Sequence, residues 1–187
     1  MATYRVTYRE ENAEVAIATV LNGSRVLPQN VTLKSPGRIE LRSSDGDVFR
    51  LQKDTEFCLI DQEEGMQPEI HGEVFSYVIA TWWHSKHTSW TCRNHASAPL
   101  QLLVRPSLEF ENTEEYILAL GEMVIHDYDI HGRYFVICNL QQGEKAFVTY
   151  DPNLPVCPSR YTANIVDMSD QDWQYISENY LDNRKWM

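Results

Sequence analysis

Four side chains near the middle of the chain have the types and spacing that could hold a metal ion. His84, His87, Cys92 and His95 read H-x2-H-x4-C-x2-H, and imidazole nitrogen and thiolate sulfur are the donors of tetrahedral zinc sites. Spacing argues on the other side, because only four residues separate the two pairs, where structural zinc sites place roughly a dozen or more. On a strand, residues three apart face opposite ways, so His84 and His87 converge only from a turn or a helical segment. The intervening Ser85, Lys86, Thr88, Ser89, Arg93 and Asn94 predict a polar loop. In such a loop the same histidines are solvated or hydrogen-bonded, and Trp82, Trp83 and Trp90 pack as a lid on the neighbouring sheet.

The wider stretch, residues 74–108, contains no Asp or Glu in a chain that has 27 of them, and it gathers three of the six His. Lys86, Arg93 and Arg105 make it locally cationic, and aromatic rings beside cations are frequent at contact surfaces. Trp82, Trp83, Lys86, Trp90 and Arg93 are therefore the candidate ligand-binding or partner-binding residues. A second polar cluster, HDYDIHG, holds His126, Asp127, Asp129 and His131 at a strand end. Alternation places the two aspartates on one face and His126 on the other, which favours a solvated turn over a shared metal or acid/base pair.

Charge narrows the partners. Residues 1–60 carry eight Lys/Arg against eight Asp/Glu, and residues 61–187 carry eight against nineteen, the whole of the net −11. Such a balance opposes a nucleic-acid backbone, which requires clustered Lys and Arg, and opposes docking on anionic lipid. No apolar run near twenty residues is present, so neither membrane insertion nor a disordered chain is expected at 43% hydrophobic content. MATYRVTYREENAEV alternates polar and apolar residues and lacks a signal-peptide core, so the expected compartment is the cytoplasm, or the periplasm if a leader has been removed. Cys58, Cys92, Cys138 and Cys157 form no C-x-x-C pair, and Cys58 and Cys138 read as small apolar core residues.

The elements that must position these residues are mostly strands. TYRVTYR and AEVAIATVL lead to Asn22-Gly23, a hairpin turn pair, and VTLKS, RIELRS, DVFRLQ and TEFCLI follow with tight turns at Pro36-Gly37 and Asp45-Gly46. DQEEGMQP reads as an acidic loop before EIHGEVFSYVIA. After LQLLV, which Arg105-Pro106 ends, residues 114–120 lean to a short helix capped by Thr113 and stopped by Gly121; a strand is the competing reading. EMVIHDYDI, RYFVICNL and KAFVTYD then make a second meander, and residues 151–162 form an extended, Pro-rich surface crossing. A Gly-Glu pair precedes a strand three times, at Gly72, Gly121 and Gly143. The clearest helix is the closing SDQDWQYISENYLDN, capped by Ser169 with Asp172, with Trp173, Ile176, Tyr180 and Leu181 on one face.

At 187 residues the expectation is a single mainly β domain: antiparallel meanders forming two packed β layers, sandwich or jelly-roll-like, closed by a C-terminal α-helix. A possible subdivision runs 1–80, a Trp/His-rich junction at 81–112, and 113–187. Gly37 to Leu41, Asp45-Gly46, Val48 to Leu51, Thr55 to Leu59 and Gly72 to Phe75 together resemble the FecR-type β domain over residues 37–75. That resemblance implies a non-enzymatic sensing or binding module of the kind attached to bacterial transmembrane regulators.

Catalysis by Ser or Cys lacks a local signature, since no G-x-S-x-G elbow occurs, and phosphate chemistry lacks a glycine-rich loop with Lys. The leading expectation is thus a non-catalytic binding or signalling module without a cofactor, recognising a ligand or protein partner through residues 82–95. The alternatives are a structural zinc protein using His84, His87, Cys92 and His95, or a cupin-like iron or zinc enzyme drawing on His71, Glu73, His84 and His87.

Overall fold

A computed structural model describes residues 4–10, 32–35, 37–62, 65–78, 82–85, 90–94, 99–128, 134–156 and 159–187. The strands are β1 (Tyr4–Arg9), β2 (Leu33–Lys34), β3 (Ile39–Ser43), β4 (Val48–Leu51), β5 (Glu56–Gln62), β6 (Gly65–His71), β7 (Val74–Val78) and β8 (Trp82–Ser85). They continue as β9 (Trp90–Asn94), β10 (Leu100–Pro106), β11 (Thr113–Leu120), β12 (Glu122–Tyr128), β13 (Tyr134–Gln141), β14 (Glu144–Tyr150) and β15 (Tyr161–Asp167). Helix α1 (Asp170–Ile176) runs on into a π-helical turn, Ser177–Leu181, and a 3-10 turn, Asn183–Trp186.

These strands build two sheets, an eight-stranded one in the order β1-β3-β4-β7-β10-β11-β14-β15 and a seven-stranded one in the order β13-β12-β9-β8-β6-β5-β2. The described pairings are antiparallel apart from the contact of β6 with β8 at Glu69 and His84. The expected mainly β architecture of two packed layers with a C-terminal helix is therefore the one observed. Between the layers lies a core shared by both sheets. Phe49, Leu51, Leu102 and Tyr116 come from the larger, and Phe57, Ile70, Ile125 and Leu140 from the smaller.

The recurring Gly-Glu pair marks three of the places where the chain changes sheets. β6 passes to β7 at Gly72, β11 to β12 at Gly121, and β13 to β14 at Gly143. Gly121 alone separates two strands of different sheets, with φ of +97°, and an added Cβ would stand 2.9 Å from the Pro99 carbonyl oxygen. No side chain fits that corner without displacing backbone.

Register rows across the larger sheet show how the layers are assigned. Ile39, Leu51, Val74, Val104, Tyr116 and Ala146 are successive cross-strand partners, and each is buried in the inter-sheet core. One residue along, Glu40, Arg50, Phe75, Leu103, Ile117 and Lys145 form the adjoining row. Strand alternation turns that row to the opposite face, where Phe75, Leu103 and Ile117 pack with Ala119 against Ile176, Tyr180 and Trp186 of the C-terminal segment.

Several expectations are corrected. Residues 114–120 are strand, not helix, because β11 sits inside the larger sheet with both faces covered, and a strand buried on both faces reads as a continuous apolar run. DQEEGMQP is mostly the facing ends of the β5–β6 hairpin, where strand pairing reaches Gln62 and Gly65. Residues 161–167 add a strand, β15, that the Pro-rich stretch before it concealed. The 81–112 junction contains two paired strands of the smaller sheet, so the segment is part of a layer. The expected strand at 13–21 and the Asn22-Gly23 turn lie outside the described residues.

The closing helix has the expected capping box. Ser169 Oγ accepts from the Asp172 amide at 3.1 Å and Asp172 Oδ2 accepts from the Ser169 amide at 3.0 Å. Its buried face carries Ile176 and Tyr180, whereas Trp173 stays 39% exposed and is removed from the expected apolar stripe. The widened turn after Ile176 carries Tyr180 round to the sheet.

Candidate functional site

The sequence-derived site falls on the β8–β9 hairpin in the middle of the smaller sheet. Trp82 pairs with Arg93, Trp83 with Cys92, His84 with Thr91 and Ser85 with Trp90. β9 then pairs with β12, so that Arg93 adjoins Val124, Cys92 adjoins Ile125 and Trp90 adjoins Asp127. Trp83, Cys92 and Ile125 thus occupy one row, and Ile125 belongs to the inter-sheet core. His84 and Cys92 occupy neighbouring register positions and not a shared one. Lys86, His87 and His95 lie outside the described residues, as do Asp129 and His131. Of the residues expected to make a polar loop, Ser85, Arg93 and Asn94 lie in strands, and Lys86, Thr88 and Ser89 lie outside the described residues.

The two residues of the alternative metal set that are described fully are engaged elsewhere. His71 is buried, with Nε2 3.3 Å from Glu69 Oε1. Glu73 Oε1 accepts hydrogen bonds from the Tyr175 hydroxyl at 2.5 Å and from the Tyr180 hydroxyl. Among the described residues no group of three His, Cys, Asp or Glu side chains is placed to hold a metal ion. His126 is fully buried in β12, and Asp127 accepts from the Ser159 hydroxyl at 3.0 Å. Burial, and then the nearby Glu144, push the Cys138 thiol up to about 12, which agrees with the core role expected of it.

Topology brings the hairpin to one end of the sandwich together with other groups. The strand ends Ser85 and Trp90 stand beside Asp127, and Asp127 reaches Ser159, just before β15. At that end of the larger sheet Tyr150 pairs with Tyr161, and Thr113 with Thr149. There the β10–β11 connection folds over a cavity of about 300 Å³ lined by Pro106, Ser107, Phe110, Glu111, Asn112, Thr113, Glu114 and Tyr150.

Local hydrogen bonds set the shape of that connection. Ser107 Oγ accepts from the amides of Glu109 and Phe110 at 3.3 and 3.2 Å, and Thr113 Oγ1 donates to the Glu111 carbonyl at 2.8 Å. Asn112 adopts φ of +51°, a conformation Asn tolerates better than most residues, and its carbonyl accepts from the Tyr150 amide at 2.9 Å. The loop presents Leu108 fully exposed and Phe110 about half exposed, with Phe110 set edge-on against Phe147 at 5.4 Å between ring centres. Nothing in the sequence pattern distinguished this loop. The one available signal was SLEFENTEE, a pair of apolar residues set among carboxylates.

No family model and no curated protein sequence matches this chain. Among solved structures, the fold is similar to the 2.50 Å crystal structure of a candidate anti-sigma factor from Parabacteroides distasonis, with a TM-score of 0.52 and 11% identity. That match covers 80% of this chain and 65% of the other, so this chain spans less than two thirds of its neighbour's length. A second structure of the same description and organism, at 1.65 Å, gives a TM-score of 0.46 and 11% identity over 81% of this chain and 62% of that one. At such identities the likeness concerns the fold. No described helix is long and apolar enough to cross a membrane.

Proposed function

We propose that this chain is a non-catalytic regulatory module that works by binding a protein partner, with the β8–β9 hairpin as a principal contact through Trp82, Lys86 and Arg93 and with Trp90 at the strand end. Trp83 shares a register row with the core residue Ile125 and is left out of the contact. The observation that carries this reading is the likeness of the sandwich to a structure described as a candidate anti-sigma factor, a class that acts by holding another protein. The resemblance of residues 37–75 to the FecR-type domain points the same way. The hairpin lies in an acid-free stretch of a strongly acidic chain, and it reaches the sandwich end that also exposes Leu108 and Phe110. Mixed aromatic and cationic surfaces of this kind are typical contact hot spots.

The test uses the immobilised chain and extract of its native host, read by mass spectrometry. Wild type should retain a discrete partner. Lys86→Glu/Arg93→Glu and Trp82→Ala/Arg93→Ala should each lose it, with melting temperatures within about 4 °C of wild type. Retention of the partner by the charge-reversed variant overturns the assignment of the surface. Collapse of the melting temperature in the tryptophan variant reassigns the Trp82 ring to a packing role.

A further inference from the structure

We infer that the cavity under the β10–β11 connection is a receptor for a single cationic side chain, arginine or lysine, presented by a protein partner. The inference rests on the binding-module reading and names the chemistry of the group that is held. Four features select a cation. First, the lining supplies two carboxylates, Glu111 and Glu114, and no Lys or Arg. Second, the Glu111 carboxylate has no hydrogen-bond or ion-pair partner among the described residues, and the residue is exposed at the mouth. Glu114 lies deeper, only 6% exposed, and is fixed by the Tyr116 hydroxyl at 2.8 Å.

Third, two walls are aromatic, Phe110 and Tyr150, and a ring face attracts a guanidinium or ammonium group whose hydration is partly stripped. Fourth, the volume of about 300 Å³ is at the small end for a ligand pocket and suits one long side chain better than a cofactor. Arg160, a cation beside the Tyr150 wall, is held by the Leu154 carbonyl at 3.1 Å and the Tyr150 hydroxyl at 3.4 Å. Neither bond is to Glu111 or Glu114. Exposed Leu108 and half-exposed Phe110 give the residues flanking the bound cation an apolar surface to lie on. The partner segment so defined is a basic side chain with an apolar neighbour.

The test is a chemical-shift titration of the isotope-labelled chain with N-acetyl-arginine amide, N-acetyl-lysine amide and the neutral isostere N-acetyl-citrulline amide. The expected result is saturable shifts confined to residues 106–114 and Tyr150 for the two cations, with citrulline inert. Glu111→Gln, an exposed and isosteric change that leaves the fold intact, should weaken the cations by roughly fivefold or more, the scale of one charge-assisted contact. Equal response to citrulline, shifts spread over the surface, or binding unaltered by Glu111→Gln each overturns the inference. Small probes report on the cavity whether or not a partner is recovered by the hairpin, so a failure here leaves the hairpin reading standing, and the reverse.

Discussion

Two adjacent rows of the larger sheet, one residue out of step, are built on opposite principles. The inner row, Ile39, Leu51, Val74, Val104, Tyr116 and Ala146, is apolar throughout and meets the smaller sheet. The outer row, Glu40, Arg50, Phe75, Leu103, Ile117 and Lys145, is apolar only in its middle and carries charge at both ends. Both rows are covered, the outer by the C-terminal segment. The difference teaches that burial here is achieved in two ways, by area alone on one face and by a framed, hydrogen-bonded lid on the other.

The frame is specific. Arg50, 5% exposed, sends Nε to Glu40 at 2.9 Å and one terminal nitrogen to Asn183 Oδ1 at 2.9 Å, and it also donates to the Tyr180 carbonyl. Its guanidinium lies 5.3 Å from the Tyr77 ring centre and 5.4 Å from that of Trp186. At the other end Arg105 Nε donates to Glu115 at 2.7 Å and its guanidinium lies 5.0 Å from the Tyr175 ring. Lys145 reaches Asp172 at 3.2 Å. Burial alone would raise the Glu40 carboxyl, but hydrogen bonds from Arg42, Arg50 and Thr7 outweigh it and hold the group below its ordinary value. Asp172 is likewise held low: burial opposes ionisation, and the Ser169 hydrogen bonds and Lys145 prevail.

The largest effects are expected at Arg50 and at Leu102. Arg50→Met takes from the buried Glu40 the partner of its Oε2, leaving Arg42 and Thr7 on Oε1, and should cost about 3 kcal/mol in urea denaturation, whereas Arg50→Met/Glu40→Leu together should recover much of that loss. If the double variant is no better than the single one, the frame is not a matched pair. On the inner face Leu102→Ala should cost about 3 kcal/mol by the same measurement, from lost burial plus a cavity, with no second substitution able to restore it by charge.

Tyr180→Phe should cost about 1 kcal/mol, because the Glu73 carboxylate loses one of its two hydroxyl donors and keeps Tyr175. Ser169→Ala should cost about 1 kcal/mol through the cap alone, detected as a shift in the urea midpoint.

The smallest effect separates the rows by pH. Glu40 and Asp172 are depressed in the folded state, so their contribution is complete above the ordinary carboxyl values of 4.5 and 3.8. It is lost as pH falls through the lower folded values. Wild type and Leu102→Ala should lose stability in parallel below about pH 4.5, while Glu40→Gln shows a shallower slope. Parallel slopes in all three would remove the outer frame from the acid response.

Much of the two-layer arrangement was legible because period-two alternation and turn pairs such as Asp45-Gly46 act locally. Three things were not. The central strand β11 looked helical, since burial on both faces erases alternation. Trp173 fits the helical stripe by spacing, yet the turn widens after Ile176 and Tyr180 takes the place at the sheet. The frame residues Glu40 and Arg50 alternate with apolar neighbours as solvent-facing residues do, and only the arrival of a segment more than a hundred residues later buries them. Of the candidate site, the hairpin residues were legible by type, whereas the cavity beneath the β10–β11 loop depends on Tyr150 from a distant strand.

The lid has a temporal consequence. Arg50 and Tyr180 are 130 residues apart in the chain, and Glu73 and Tyr180 are 107 apart. Such separations delay contact formation, and during synthesis Phe75, Leu103 and Ile117 emerge long before the residues that cover them. Until residues 176–186 leave the ribosome, the nascent sandwich carries an open apolar strip between two charged borders. Glu40 and Arg50 at one end and Lys145 at the other border that strip.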